Sequence, residues 1–350
     1  MRQNVIALIF GGRSTEHAVS LMSARSLHQA LCTLGHSVHC VGIDSSGAWH
    51  YQGSPCTFPD KVDTSAPLVT LQPGRRSFIF SRPESAPVEI TVDMIFPALH
   101  GLYGEDGALQ GLSAMCGIPC VGSGILGSAV AMDKDVTKRL VGAAGIAVAP
   151  WIASFEMPTW EHVVASLGGG ALFVKPACSG SSIGVARVTC ESEYREAYAI
   201  AQRLDQKVLV EKEIKGREIE CGILECNGQV IASQPGEVLP SKDHVFYSYD
   251  AKYATQEDST LLVPSAISPT LALHVQNLSL DIFRCLELKG LARIDFFLRD
   301  DDEVILNEVN TLPGFTNASM YPKMLEFSGY SLELIVDALV RTALTAPLET

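Results

Sequence analysis

Asp295, Glu308 and Asn310 give the strongest local signal for chemistry in the sequence. They lie in Arg293-Ile294-Asp295 and Leu306-Asn307-Glu308-Val309-Asn310, on either side of the acidic turn Asp300–Asp302. Strand alternation puts Asp295 on one face and pairs Glu308 with Asn310 on another. Two carboxylates and an amide oxygen gathered by a hairpin are the ligand types Mg²⁺ prefers when nucleotide phosphates complete its octahedron. A solvated acidic hairpin is the competing reading, and the apolar neighbours Ile294, Phe296, Val304 and Val309 weigh against it. Magnesium-ATP is the ligand this hairpin implies.

A second constellation is the Ser/Gly loop of residues 175–184, with Lys175 at its root. Its backbone N–H groups and hydroxyls can close over phosphates, while Lys175 and Lys134 place positive charge where phosphoryl oxygens develop negative charge. A hairpin without function would look similar. Glu211 and Glu218 stand where a strand leaves a small unit for a larger one. They are either surface acids or acceptors for the amino and ribose hydroxyl groups of a nucleotide lying between the units. His100 follows a buried strand in the glycine-rich loop His100–Gly107, a setting that suits a site residue better than a core histidine. Gly11-Gly12 follows the first strand, and it matches neither GxGxxG nor a Walker A, so a plain tight turn is as good a reading. No GxSxG, HExxH or catalytic Cys–His pattern is present, so nucleophilic hydrolysis and zinc chemistry have no support.

The elements that must position these residues can be read from periodicity. Val5–Phe10 reads as a buried strand, followed by a helix with Leu21, Ala24, Leu27, Leu31 and Leu34 on one face, closed by Gly35, and a second strand, Ser37–Ile43. This βαβ unit implies a parallel sheet with ligands at the carboxyl ends of its strands. Residues 44–92 read as edge strands and long connections. Asp133-Lys134 opens a new helix; strands are expected at Leu172–Lys175, Ile183–Val188 and Val208–Glu211. Three domains result: 1–133, 134–211 and 212–350. At 350 residues the chain exceeds what one core usually serves, and several units around a cleft suit an enzyme.

Composition excludes other classes. The net charge of -13 and the lack of Lys/Arg clusters speak against nucleic acid, and no apolar run approaches membrane-spanning length. The cysteines form no CxxC, with Cys32, Cys190 and Cys221 in apolar settings expected of buried thiols, so a reducing cytoplasm fits. His28 and His274 fall in helical stretches and are expected at the surface.

These pieces occur in the order found in D-alanine–D-alanine ligases, over most of the chain. The resembling strings are residues 10–20, the His100–Gly107 loop, Met132-Asp133-Lys134, residues 175–184, Asp250-Ala251-Lys252-Tyr253 and residues 307–322. The resemblance implies α/β and α+β domains in a three-domain ATP-grasp architecture, with an N-terminal Rossmann-like parallel-sheet domain. It also implies ATP-dependent ligation of two D-alanines through a D-alanyl phosphate, supplying peptidoglycan precursors. By the same resemblance, Glu16 holds the ammonium of the first D-alanine with help from His100, and Ser181 and Tyr253 link to Glu16 and close the site. Lys134, Lys175, Ser182, Glu211 and Glu218 bind ATP, and Asp295, Glu308 and Asn310 hold Mg²⁺ or Mn²⁺. Arg293 and the N–H of Gly314 stabilise the oxyanion, and Lys252, Ser319 and Met320 face the second substrate. A homodimer is implied as well, with the apolar helix of the first domain as its face. Ala18 departs from the pattern, since the family commonly has an acid there.

Relatives that join D-alanine to D-serine or D-lactate differ near Lys252-Tyr253 and after Ser319. The Lys-Tyr pair and apolar Met320 favour D-alanine as second substrate. Another ATP-grasp ligase would lack use for the Glu16 and His100 loops, and a regulator without turnover would not need Arg293 and the metal trio.

Overall fold

The computed structural model describes residues 3–81, 85–240 and 259–346. It opens with strand β1 (Val5–Gly11), helix α1 (His17–Thr33), β2 (Ser37–Ile43) and β3 (Trp49–Gly53). As expected, β1 and β2 are parallel, and Ala24, Leu27 and Leu31 of α1 are fully buried. Gly35, at φ +82°, ends α1: its N–H donates to Cys32 O and that of His36 to Leu31 O, a Schellman closure that favours glycine. The connection that follows is more ordered than a set of edge strands. Strands β4 (Val69–Leu71), β5 (Ser77–Phe80) and β6 (Val88–Thr91) make an antiparallel sheet of their own. Strand β7 (Met94–Ala98) then returns to pair parallel with β1. Helices α2 (Ala108–Cys116) and α3 (Ile125–Met132) follow.

Helix α4 (Lys134–Ala143) begins at Asp133, whose carboxylate accepts from the N–H groups of Asp135 and Val136. Next come β8 (Trp151–Ser154), α5 (Trp160–Leu167), β9 (Leu172–Pro176), β10 (Ala186–Val188), α6 (Glu191–Leu204) and β11 (Val208–Lys212). The four strands form an antiparallel sheet in the order β10-β9-β11-β8, backed by Val163, Tyr194 and Tyr198. Strand β10 is shorter than the expected Ile183–Val188. Residues 183–185 are taken up in turns instead: Ile183 N–H donates to Gly180 O, Val185 N–H donates to Ser182 O, and Gly184 sits at φ +73°, a left-handed backbone that cannot pair in a ladder.

The largest sheet is built from β12 (Arg217–Cys226), β13 (Gln229–Ala232), β14 (Gly236–Pro240), β15 (Ser259–Leu262), β16 (Leu291–Leu298) and β17 (Val304–Asn310). Helix α7 (Pro269–Cys285) covers it through Val275, Ile282 and Phe283. Helices α8 (Met320–Phe327) and α9 (Leu332–Thr345) close the chain. Ile335, Val336 and Leu339 of α9 share one core with Leu27 and Leu31 of α1, so the first sheet's core draws on both ends of the chain.

His28 is buried, contrary to expectation, because it packs under Phe58 of the 54–60 segment. Cys32 and Cys190 are exposed, on the outer surface of α1 and just before α6, whereas Cys221 is buried as expected. All ten cysteines are free. Among the described residues no helix is long and apolar enough to cross a membrane.

Candidate active site

Two loops converge on Glu16, the residue before α1. A Cβ added to Gly101 or to Gly180 would lie 3.5 Å from Glu16 Oε2. The same carboxylate oxygen therefore meets both the His100 loop and the Ser/Gly loop, with Ser181 the next residue along. His100, 7% exposed, is fixed at both ring nitrogens. Leu312 O can only accept, at 3.0 Å, so Nδ1 carries the proton, and Nε2, 3.3 Å from Ser23 Oγ, accepts. Burial lowers the pKa of His100, and the nearby Glu16 charge opposes this only in part, so the ring is neutral.

Two residues of this corner escape sequence reasoning. Ser23 Oγ also accepts from Phe315 N–H at 3.1 Å, tying α1 to the 312–319 loop. A serine on an otherwise apolar helix face is the signal that could have revealed it. Glu105 accepts from Gly101 N–H at 2.6 Å and Leu312 N–H at 3.0 Å, bracing the same two loops. Burial, reinforced by the Glu16 charge, pushes its pKa up to about 7. A carboxyl whose folded pKa is raised binds its proton more tightly in the native state. Stability then falls as pH rises from the unfolded value of 4.5 through about 7 and levels above it. Thermal melting between pH 4.5 and 8 should show this decline, and Glu105→Gln should flatten it; an unchanged slope in the variant would remove Glu105 as its source.

Between the sheet carrying β9 and β11 and the one carrying β12 and β16 lies a cavity of about 470 Å³, lined by Lys134, Lys175, Ser182, Glu211, Glu218 and Glu308 among others. It is large enough for a nucleotide. Lys134 Nζ donates to Ser179 O at 2.6 Å, pinning the Ser/Gly loop, and its backbone N–H donates to Ala177 O. Burial lowers the Lys134 pKa, while Glu308 holds it up in part. Glu211 is buried between two ammonium groups, Lys175 at 2.9 Å and Lys138 at 2.8 Å. Lys138 is a third residue that sequence reasoning missed.

At the floor of the cleft the antiparallel register aligns Glu220, Asp295 and Glu308 across β12, β16 and β17, and beside them Gly222, Arg293 and Asn310. A register shift at Asp295/Phe296 is what puts Asp295 opposite Glu308. Regular alternation places these two carboxylates on different faces; the irregular register brings them together. Arg293 forks onto Asp295, at 2.8 and 2.7 Å, and reaches Glu220 at 3.0 Å. Burial alone would lower its pKa, but Asp295 and Glu220 raise it well above the usual value. Asn310 Nδ2 donates to Asp295 Oδ2 at 3.1 Å, which turns its carbonyl oxygen away from that carboxylate. Two adjacent carboxylates plus that oxygen are a donor set suited to Mg²⁺ or Mn²⁺.

The loop before α8 holds Gly314 against Ser319: a Cβ on Gly314 would come 2.8 Å from Ser319 Oγ. Ser319 Oγ in turn accepts from Thr316 N–H at 3.1 Å. Met320 is 4% exposed and packs with Val238 and Met324 beneath Gly236. Its side chain therefore belongs to a small core, and an arginine introduced there would be buried, so such a variant cannot serve as a clean test of specificity. Lys252 and Tyr253 lie outside the described residues.

The comparisons with known proteins cover both halves of the chain. Residues 5–123 match the family model described as D-ala D-ala ligase N-terminus, and residues 140–341 the one described as D-ala D-ala ligase C-terminus. A D-alanine–D-alanine ligase A of Pseudomonas putida is 58% identical over 346 residues, covering 99% of this chain and 98% of that protein. Two solved structures superpose over nearly the whole chain. D-alanyl-alanine synthetase A from Vibrio cholerae has a TM-score of 0.86 at 31% identity, covering 99% of this chain and 100% of that one. A D-Ala:D-Ser ligase from Enterococcus faecalis has a TM-score of 0.84 at 32% identity, covering 98% and 100%. With both halves matched by its models and a relative of this identity over the full length, the chain belongs to the D-alanine–D-alanine ligase family.

Proposed function

We propose that the chain joins two D-alanines at the expense of ATP, through a D-alanyl phosphate, for peptidoglycan precursor synthesis. The observation that carries this reading is the meeting of Glu16 with the Gly101 and Gly180 loops beside a lysine-rich cleft. An amine-binding carboxylate and a phosphate-binding cleft then share one loop.

The chemistry has a physical order. A carboxylate resists amine attack until its oxygen is converted to an acyl phosphate, so the first substrate must lie with its ammonium held and its carboxylate toward the cleft. Glu16 supplies the counter-charge for that ammonium, and neutral His100, locked by Leu312 and Ser23, packs beside it without repelling it. Lys134 and Lys175 hold the phosphates of ATP. Glu308, Asp295 and Asn310 would hold Mg²⁺, which when bound neutralises phosphate charge during transfer. Arg293 and the Gly314 N–H receive the oxyanion when the second amine attacks. The Ser181 loop, with the Lys252-Tyr253 segment, excludes water from the acyl phosphate. Glu211 and Glu218 accept from the adenosine moiety, and Ser319 with Lys252 holds the second carboxylate. The Lys-Tyr pair supports D-alanine in that position.

The test is phosphate release from magnesium-ATP with D-alanine, D-serine and D-lactate offered singly and in pairs, with products identified by mass. Release with D-alanine alone and a dipeptide product supports the reading. Release only when D-serine or D-lactate is added moves the second substrate, and no release in any mixture overturns the reaction.

A homodimer in the cytoplasm completes the proposal. Met115 at the end of α2 and Ile125 and Leu126 at the start of α3 are exposed, an apolar surface suited to burial against a second copy. Leu126→Asp is expected to shift the mass measured by light scattering from dimer to monomer; an unshifted dimer would place the interface elsewhere.

A further inference from the structure

We infer that Lys138 is a positioning residue for the nucleotide: it holds the Glu211 carboxylate from behind, so that Lys175 can exchange Glu211 for a phosphate oxygen. This rests on the ATP reading above. Lys138 is 1% exposed and does not line the cavity, whereas Lys175 and Glu211 do. Its Nζ lies 2.8 Å from Glu211 Oε2, and Lys175 Nζ lies 2.9 Å from Oε1. Behind it, among the described residues, Nζ meets Ala149 O at 3.5 Å and the Trp151 ring, 5.8 Å from the centroid.

Lys138 and Lys175 thus share one buried carboxylate, while Lys134, supported chiefly by Glu308, stands further off. Such an excess of buried positive charge is costly until an anion arrives. The two lysines on the wall can reach an arriving phosphate, and Lys138, sealed behind Trp151, cannot. When Lys175 turns outward, Lys138 is the cation that remains on Glu211 and keeps it oriented as an acceptor. Glu211 is buried, which alone would raise its pKa, but Lys175 and Lys138 lower it, so it is ionised at neutral pH. The charged groups that face it are these two lysines and, more distantly, Lys134.

The experiment compares Lys138→Met, Glu211→Gln and the double variant with the wild-type chain, using initial rates with magnesium-ATP and D-alanine from pH 4.5 to 9. Lys138→Met should raise the KM for ATP roughly tenfold and leave that for D-alanine nearly unchanged, since one of two buried partners of Glu211 is lost. With a cation removed, Glu211 takes its proton at higher pH, so the acid limb of kcat/KM for ATP should move upward by about one pH unit. Because Lys138 acts through Glu211, the double variant should match Glu211→Gln alone and lack that shifted limb. A folded Lys138→Met with wild-type KM and pH profile overturns the inference, as does a double variant that loses more than Glu211→Gln. If Lys138→Met does not fold, the comparison of the double variant with Glu211→Gln decides alone, because the pair of changes leaves no unpaired buried acid. A wild-type chain that releases no phosphate from ATP would instead sink the reading on which the inference rests.

Discussion

Glu308→Gln is expected to lower the rate of dipeptide formation by about 100-fold or more, because on the proposed assignment it weakens a metal ligand with no change in volume. The structure says why the loss should be confined to function. Glu308 sits on β17 opposite Asp295 and lines the cleft, part-exposed, while its neighbours Leu306 and Val309 carry the packing. The melting temperature should therefore stay close to that of the wild-type chain. The two effects are separable by titrating Mg²⁺: if the residue holds the metal, the metal requirement rises with the loss of rate. A variant of near-normal rate and unchanged metal requirement would remove Glu308 from the metal site. Lys134 supplies a second readout. Glu308 supports its protonation against burial, so the amide variant should also deprotonate Lys134 at lower pH and lose ATP binding first on the alkaline side.

Much of this site is legible in the amino-acid sequence, and the reasons are local. The βαβ opening is written in a helical stripe of Ala24, Leu27 and Leu31 between two apolar runs, and all three side chains are buried where the stripe puts them. Lys175 and the Ser/Gly loop are adjacent in sequence, so their association needs no tertiary information. What sequence could not give is packing across distance. Glu105 braces Gly101, four residues away, but also Leu312, 207 residues away, and only the second contact marks it as part of the site. Lys138 lies one turn from Lys134 on α4, yet its partner Glu211 comes from β11. His28 shows the same limit in reverse: its helix pattern leaves it outward-facing until the 54–60 segment folds over it. The Asp295–Glu308 pairing depends on an irregular register, which alternation cannot foresee.

Arg293→Lys should lower kcat by roughly 100- to 1,000-fold, the range seen when one preorganised donor to a developing oxyanion is removed. The substitution keeps the charge and discards the geometry. Arg293 uses a planar fork to bind Asp295 through two nitrogens while also reaching Glu220 at 3.0 Å. A lysine ammonium is a point donor on a flexible stem, so it can satisfy one acid and lose the alignment toward the reacting carbon. Removing the charge altogether, as in Arg293→Met, would leave Asp295 and Glu220 buried without their cation and cost about 3–5 kcal/mol of stability, confounding any kinetic result. The lysine variant avoids this, because the buried acids keep a positive partner. The mechanism further predicts a split between partial reactions. Phosphate transfer to the first D-alanine precedes attack by the second amine, so positional isotope exchange in ATP should survive in Arg293→Lys better than dipeptide formation does. Equal loss of both would mean that Arg293 serves the phosphoryl step, through its hold on Asp295, and not the oxyanion.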